Sequence, residues 1–170
     1  MFIKHFTLMS VFCLTAVAAG AQVGPESKTI ILGQQIEHDI AGGESHKYQI
    51  SLTVGQSARL VLEQKAIDVT LVLAPPDIKQ IAEVNLTAAG GLESLSIEVA
   101  ASGEHRLTVR AASAATLAGS YKMRLELKAA ATSPDRQRIA AERWLLEAFE
   151  LRKQGGKTAD QAIGKLQQAV

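Results

Sequence analysis

The chain carries one cysteine, four prolines and a single tryptophan in 170 residues, and no excess of either charge sign. The cysteine, Cys13, lies in an apolar N-terminal run, so the chain beyond that run has no thiol. A disulfide scaffold and thiol catalysis are thereby excluded for the exported form. Long hydrophobic runs are also missing: Phe6 to Ala19 falls short of the roughly 20 residues a membrane-spanning helix needs. Lys4 before that run and Ala19-Gly20-Ala21 after it have the form of a signal peptide over residues 1–21. Phe12, directly before Cys13, is bulkier than the residue a lipoprotein site places there. The expectation is an exported protein, periplasmic or extracellular after cleavage near Ala21, with no membrane span in its mature form. Removing residues 1–21 takes away one lysine, which leaves 17 basic and 17 acidic residues and gives no reason to expect nucleic acid or an anionic membrane as partner. Aromatic rings are few, and beyond residue 21 only Tyr48, Tyr121, Trp144 and Phe149 remain.

What the sequence does have is a repeated grammar between residues 28 and 128, in which short period-two segments are separated by breaks containing Gly, Pro, Ser or Asp. Tyr48, Ile50 and Leu52 share one face, as do Ala58, Leu60 and Leu62, and again Leu95, Ile97 and Val99. In YKMRLELK, Tyr121, Met123, Leu125 and Leu127 alternate with four charged residues. Such strands have one wet face and belong to a sandwich or open barrel. Breaks at Gly42-Gly43, Gly55-Gln56, Pro75-Pro76-Asp77, Gly90-Gly91, Ser102-Gly103 and Leu117-Ala118-Gly119 leave about eight strands. The predicted fold is a mainly β, antiparallel, jelly-roll-like sandwich over 28–128.

After Thr132 the pattern changes to a helical one. Ser133 as N-cap, Pro134 at the first helical position and Asp135 in the first turn predict a helix start. Ala141, Trp144, Leu145, Ala148 and Leu151 then form one stripe, and Ile139, Leu146 and Phe149 a second. Gly155-Gly156 ends this helix. A second is expected from Thr158, with Ala162, Ile163, Leu166 and Ala169 on one apolar face.

Gly33, Gly42-Gly43-Glu44, His46-x-Tyr48, Gly55-Gln56, Gln64, Asp68-Val69, Pro76-Asp77, Gly103 and Gly119-Ser120-Tyr121, in that order, resemble the bacterial pre-peptidase C-terminal (PPC) domain. The version that matches is found at the N-terminus of exported tetratricopeptide-repeat proteins, often ending in a caspase-like CHAT peptidase domain. His105 and Ile78 depart from that pattern, which more often has tyrosine and a turn glycine there. Residues 133–170 are similar to an incomplete tetratricopeptide-like helical pair, with Ala162 and Ala169 as the two small residues of the second helix. The resemblance implies a β-sandwich that precedes helical repeats, and hence the head of a longer protein or a truncated copy. The CHAT histidine and cysteine have no counterpart in this chain.

Signatures of chemistry are sparse. G-x-S-x-G and H-E-x-x-H do not occur, and His38, His46 and His105 fall in different predicted strands. Both tyrosines sit on apolar strand faces and read as core. Calcium is the ligand most worth testing, with Asp68 and Asp77 as weak, separate candidates at opposite ends of one strand, because it favours carboxylate and loop-carbonyl oxygens. The bland alternative is that Asp68 caps a strand entry and Asp77 closes a Pro-Pro-Asp turn. The expected function is therefore a non-catalytic interaction or accessory module without cofactor. Its partner would be a protein, a peptide or further helical repeats, with Trp144, Ala162, Ile163, Leu166 and Ala169 as interaction residues. The alternative is a calcium- or carbohydrate-binding sandwich, and a hydrolase is the least favoured reading.

Overall fold

A computed structural model of the chain describes residues 28–30, 32–76, 82–112, 117–153, 164 and 167. Among the described residues nine strands and one long helix succeed one another. They are β1 (Lys28–Thr29), β2 (Gln35–Ala41), β3 (Ser45–Leu52), β4 (Ser57–Lys65), β5 (Val69–Ala74), β6 (Ala82–Val84), β7 (Leu92–Glu98), β8 (Gly103–Ala111), β9 (Ala118–Lys128) and α1 (Ser133–Lys153). One sheet runs in the order β1-β3-β8-β5-β6 and the other β2-β9-β4-β7. Except for the two-residue β1, which lies parallel to β3, every pairing is antiparallel. Apart from β1, the strands form two sets of four, β3-β8-β5-β6 and β2-β9-β4-β7, and with consecutive strands β2 and β3 in opposite sheets they make the double-sheet jelly roll.

The core is the period-two pattern folded inward. Tyr48, Ile50 and Leu52 of β3, Ala58, Leu60 and Leu62 of β4, Leu107 and Val109 of β8, and Tyr121, Met123 and Leu125 of β9 are all buried between the sheets. Val69, Leu71 and Leu73 of β5 join them from the interior of their sheet. Each fully buried Leu or Ile contributes about 2 kcal/mol from removal of its surface from water.

Two local expectations shift. Leu117-Ala118-Gly119 was predicted as a break, but β9 already includes Ala118 and Gly119. Gly119 pairs with Ile40, and a Cβ there would lie 2.3 Å from the Lys65 carbonyl oxygen and 2.7 Å from Ile67 Cγ2, so close approach rather than a turn requires the glycine. The helix cap lies one residue earlier than predicted. The Thr132 carbonyl accepts the first helical bond from the Arg136 N–H at 3.0 Å, which makes Thr132 the N-cap and places Pro134 second in the helix. Asp135 reaches back to the Thr132 N–H (3.0 Å) and hydroxyl (2.6 Å), a capping box with aspartate in the glutamate position. Asp77 lies outside the described residues, and of the second predicted helix only residues 164 and 167 are described, both helical.

Helix α1 packs against β7, an edge of the second sheet. Glu142 fastens it there. Its carboxylate accepts from the Ser96 N–H (2.6 Å) and from the hydroxyls of Ser94 (2.9 Å) and Ser96 (3.1 Å). Arg136 adds a two-pronged ion pair to Glu98 at the end of the same strand. Leu146 lies against the hydrophobic core from the helix side.

Candidate functional site

The densest group of chemically capable side chains lies between the sheets on the side closed by β1, β2 and β3. Strand β2 places His38 opposite Tyr121 of β9 in the ladder, while β3 brings His46 and Tyr48 to the same interior face from the other sheet. The His46 Nδ1 is 2.7 Å from the Tyr121 hydroxyl, which is 2.5 Å from that of Tyr48. A proton order of Tyr48 to Tyr121 to His46 satisfies both hydroxyls. His38 completes the group, its ring centroid 5.7 Å from that of His46, 6.4 Å from Tyr48 and 6.3 Å from Tyr121.

Electrostatics keep this cluster neutral. Burial pulls His38 below the ordinary imidazole range, and the Lys28 charge adds to the effect against an opposing pull from Asp39. His46 is lowered first by burial, then by His38 and Lys28, with Glu44 opposing. Burial raises both phenols, Tyr121 far above its usual range because the bond to Tyr48 adds to it. Two neutral imidazoles and two un-ionised phenols can relay a hydrogen bond, and among the described residues no three His, Cys, Asp or Glu side chains are placed to hold a metal ion. His105, the third strand histidine, is buried in β8, where its Nδ1 bonds the Gly103 carbonyl at 3.2 Å.

Of the two calcium candidates, Asp68 and Asp77, only Asp68 is among the described residues. Asp68 stands just before β5, its carbonyl accepting from the Ala112 N–H at 2.8 Å and its Oδ1 buried without a hydrogen-bond partner among the described residues. Asp77, its separate counterpart, is outside the described residues. Trp144 is half-buried on α1, beside Leu145, which is 40% exposed. Ala162, Ile163, Leu166 and Ala169 lie outside the described residues. A depression of about 180 Å³ on the outer face of the second sheet is lined by Gln35, Val61, Glu63, Leu92, Lys122 and Arg124, without an aromatic ring. Tyr48 and Tyr121 are 1% and 0% exposed, so neither offers a stacking platform to a sugar.

The buried roles of two polar residues, Gln64 and Glu93, escaped the sequence reading. Gln64 takes the Val69 N–H on Oε1 (2.8 Å) and directs Nε2 at the carbonyls of Thr87 and Ala88 and the Thr87 hydroxyl. Glu93 accepts from the amides of Leu86 and Thr87 and from the Thr87 hydroxyl. Together they tie the loop after β6 to β4 and β7. A signal for them existed: Gln64 continues the inward row of Leu60 and Leu62, and Glu93 that of Leu95 and Ile97. A polar residue at an apolar position of a period-two strand marks a buried hydrogen-bond hub.

No protein-family model and no curated protein matches this sequence. Solved structures do match in shape. A periplasmic inhibitor of g-type lysozyme, PliG, from Aeromonas hydrophila aligns over 60% of this chain and 96% of its own, at 13% identity and a TM-score of 0.50. The pre-peptidase C-terminal domain of a Bacillus anthracis collagenase aligns over 61% and 97%, at 19% identity and a TM-score of 0.49. The PliG of Salmonella Typhimurium aligns over 61% and 99%, at 17% identity and a TM-score of 0.47. At such identities the likeness is one of fold, and the chain is a two-sheet β-sandwich of the kind the Aeromonas inhibitor has.

Proposed function

We propose that the chain is an exported, non-catalytic accessory module that positions or recognises a protein or peptide partner, with residues 133–170 as an incomplete tetratricopeptide-like pair carried on the sandwich. The observation that carries this reading is the mounting of α1. Glu142 and Arg136 hold the helix to β7, while Trp144 stays half-buried and Leu145 faces out at 40% exposure. A helix held at two points on a rigid sheet presents its remaining apolar residues in a fixed direction, as a docking surface requires. The same fold serves a periplasmic lysozyme inhibitor, which binds a protein.

Sedimentation of residues 22–170 across a wide concentration range tests this. The expected result is reversible self-association through Trp144 and the Ala162, Ile163, Leu166 and Ala169 face, lost in Leu166→Asp while the sandwich stays folded. A strictly monomeric chain, unchanged by that substitution, would count against it.

A second reading, calcium binding, is favoured by one observation, the buried and unpartnered Oδ1 of Asp68. Calcium would then raise the unfolding temperature of the wild type and leave Asp68→Asn unmoved. A wild type indifferent to calcium removes this reading.

A further inference from the structure

The four sheet edges are treated unequally. Strand β7 is covered by α1, and its Ser96 amide is already bound to Glu142. β6 has three residues and β1 two. Strand β2, with seven residues, pairs with β9 on one side only, and among the described residues nothing pairs with the other. Its register fixes which groups are open. The Gly42 amide donates to the Leu117 carbonyl at 2.7 Å, in phase with His38 opposite Tyr121, so the amides and carbonyls of Ile36, His38 and Ile40 turn toward β9. Those of Gln35, Glu37 and Asp39 turn outward. The next outward amide, Ala41, is capped by the Glu44 carboxylate at 2.8 Å, which marks the end of the open row.

Charge decides what can add to that row. The side chains beside the open amides are Gln35, Glu37 and Asp39, all exposed. A second copy of β2 added antiparallel would set Glu37 against Glu37, or Asp39 against Glu37, and like charges directly opposite are destabilising. A strand with lysine or arginine at alternate positions meets the opposite situation: its cations lie beside Asp39 and beside Glu37, whose carboxylate already has Lys122 of β9 at 3.5 Å, and its intervening residues fall over His38 on the sandwich side. We propose that the β2 edge is a docking site for an extended basic segment of another protein, bound by strand addition. This rests on the reading of the chain as a protein-binding module, but it uses a different face from α1.

The test uses residues 22–170 and the blocked peptide Lys-Val-Lys-Val-Lys-Val, with a fully N-methylated version and a Glu-Val counterpart as controls. The expected result is saturable shifts and slowed exchange of the Gln35, Glu37 and Asp39 amides in NMR, with no binding of the N-methylated peptide. Asp39→Lys should weaken the lysine peptide about fivefold, as turning one exposed ion pair into a repulsion implies, and should improve binding of the glutamate peptide. Leu166→Asp, which addresses the helical face, should leave peptide binding unchanged, so the two readings fail separately. Equal binding of the N-methylated peptide, shifts confined to other strands, or no binding at millimolar peptide would overturn the proposal.

Discussion

Tyr121→Phe removes one oxygen atom from the centre of the sandwich, and its cost can be worked from the bonds that atom makes. The hydroxyl serves both Tyr48 at 2.5 Å and His46 at 2.7 Å. After its loss the half-buried His46 can turn to water, but the Tyr48 hydroxyl, in a side chain 1% exposed, cannot. A buried hydroxyl without a partner costs about 1–3 kcal/mol, and the second lost bond brings the expectation to about 2–3 kcal/mol. Tyr48→Phe should be milder, about 1 kcal/mol, because Tyr121 keeps His46. In the double variant Tyr48→Phe with Tyr121→Phe no stranded hydroxyl remains, so its cost should fall below the sum of the single variants by about 1 kcal/mol. Urea unfolding of the four proteins, followed by circular dichroism, measures all of these. Equal costs for the two single variants, or strict additivity in the double, would refute the account of Tyr121 as the shared member of the chain.

Three further outcomes follow from other parts of the fold. His38 and His46 have folded pKa values below the ordinary 6.5, so the unfolded state binds more protons as acid is added. The stability they confer is complete above pH 6.5 and is lost as pH falls through their lowered values; thermal melts from pH 8 to 5 should show this, and His38→Gln with His46→Gln should flatten it. Gly119→Ala should destabilise by about 3 kcal/mol in chemical denaturation, since its methyl group meets the Lys65 carbonyl and Ile67. Glu142→Ala should loosen α1 from β7 and leave the Ser96 amide without its acceptor, at a cost of about 2 kcal/mol. Trp144 emission and limited proteolysis within 133–153 report this, and a helix as protected as in the wild type would argue against Glu142 as its fastening.

The strand pattern was legible because solvent is a strong filter: a face that alternates as cleanly as Tyr121, Met123, Leu125 and Leu127 against Lys122, Arg124 and Glu126 can only be half-buried. Strand pairing was not legible, since nothing local to β2 names β9 as its partner. That is why the meeting of His46, Tyr48 and Tyr121 went unseen although both tyrosines were placed on an inward face. Gly119 misled for a related reason. Its sequence neighbourhood looks like a turn, and the demand for a missing Cβ comes from Lys65 and Ile67, distant in the chain. The Thr132 cap was misplaced by one residue because Thr132 and Ser133 are both good caps, and only the reach of Asp135 decides between them.

The jelly-roll order also sets a timetable. Strand β2 finds its hydrogen-bond partner in β9 and β3 in β8, so the first long strands made must wait for the last. Contacts so far apart in sequence close slowly. The sheets therefore cannot seal until nearly the whole sandwich has left the ribosome. On the reading that residues 1–21 direct export, such lateness is useful: the chain stays unfolded, and so threadable, until it has crossed.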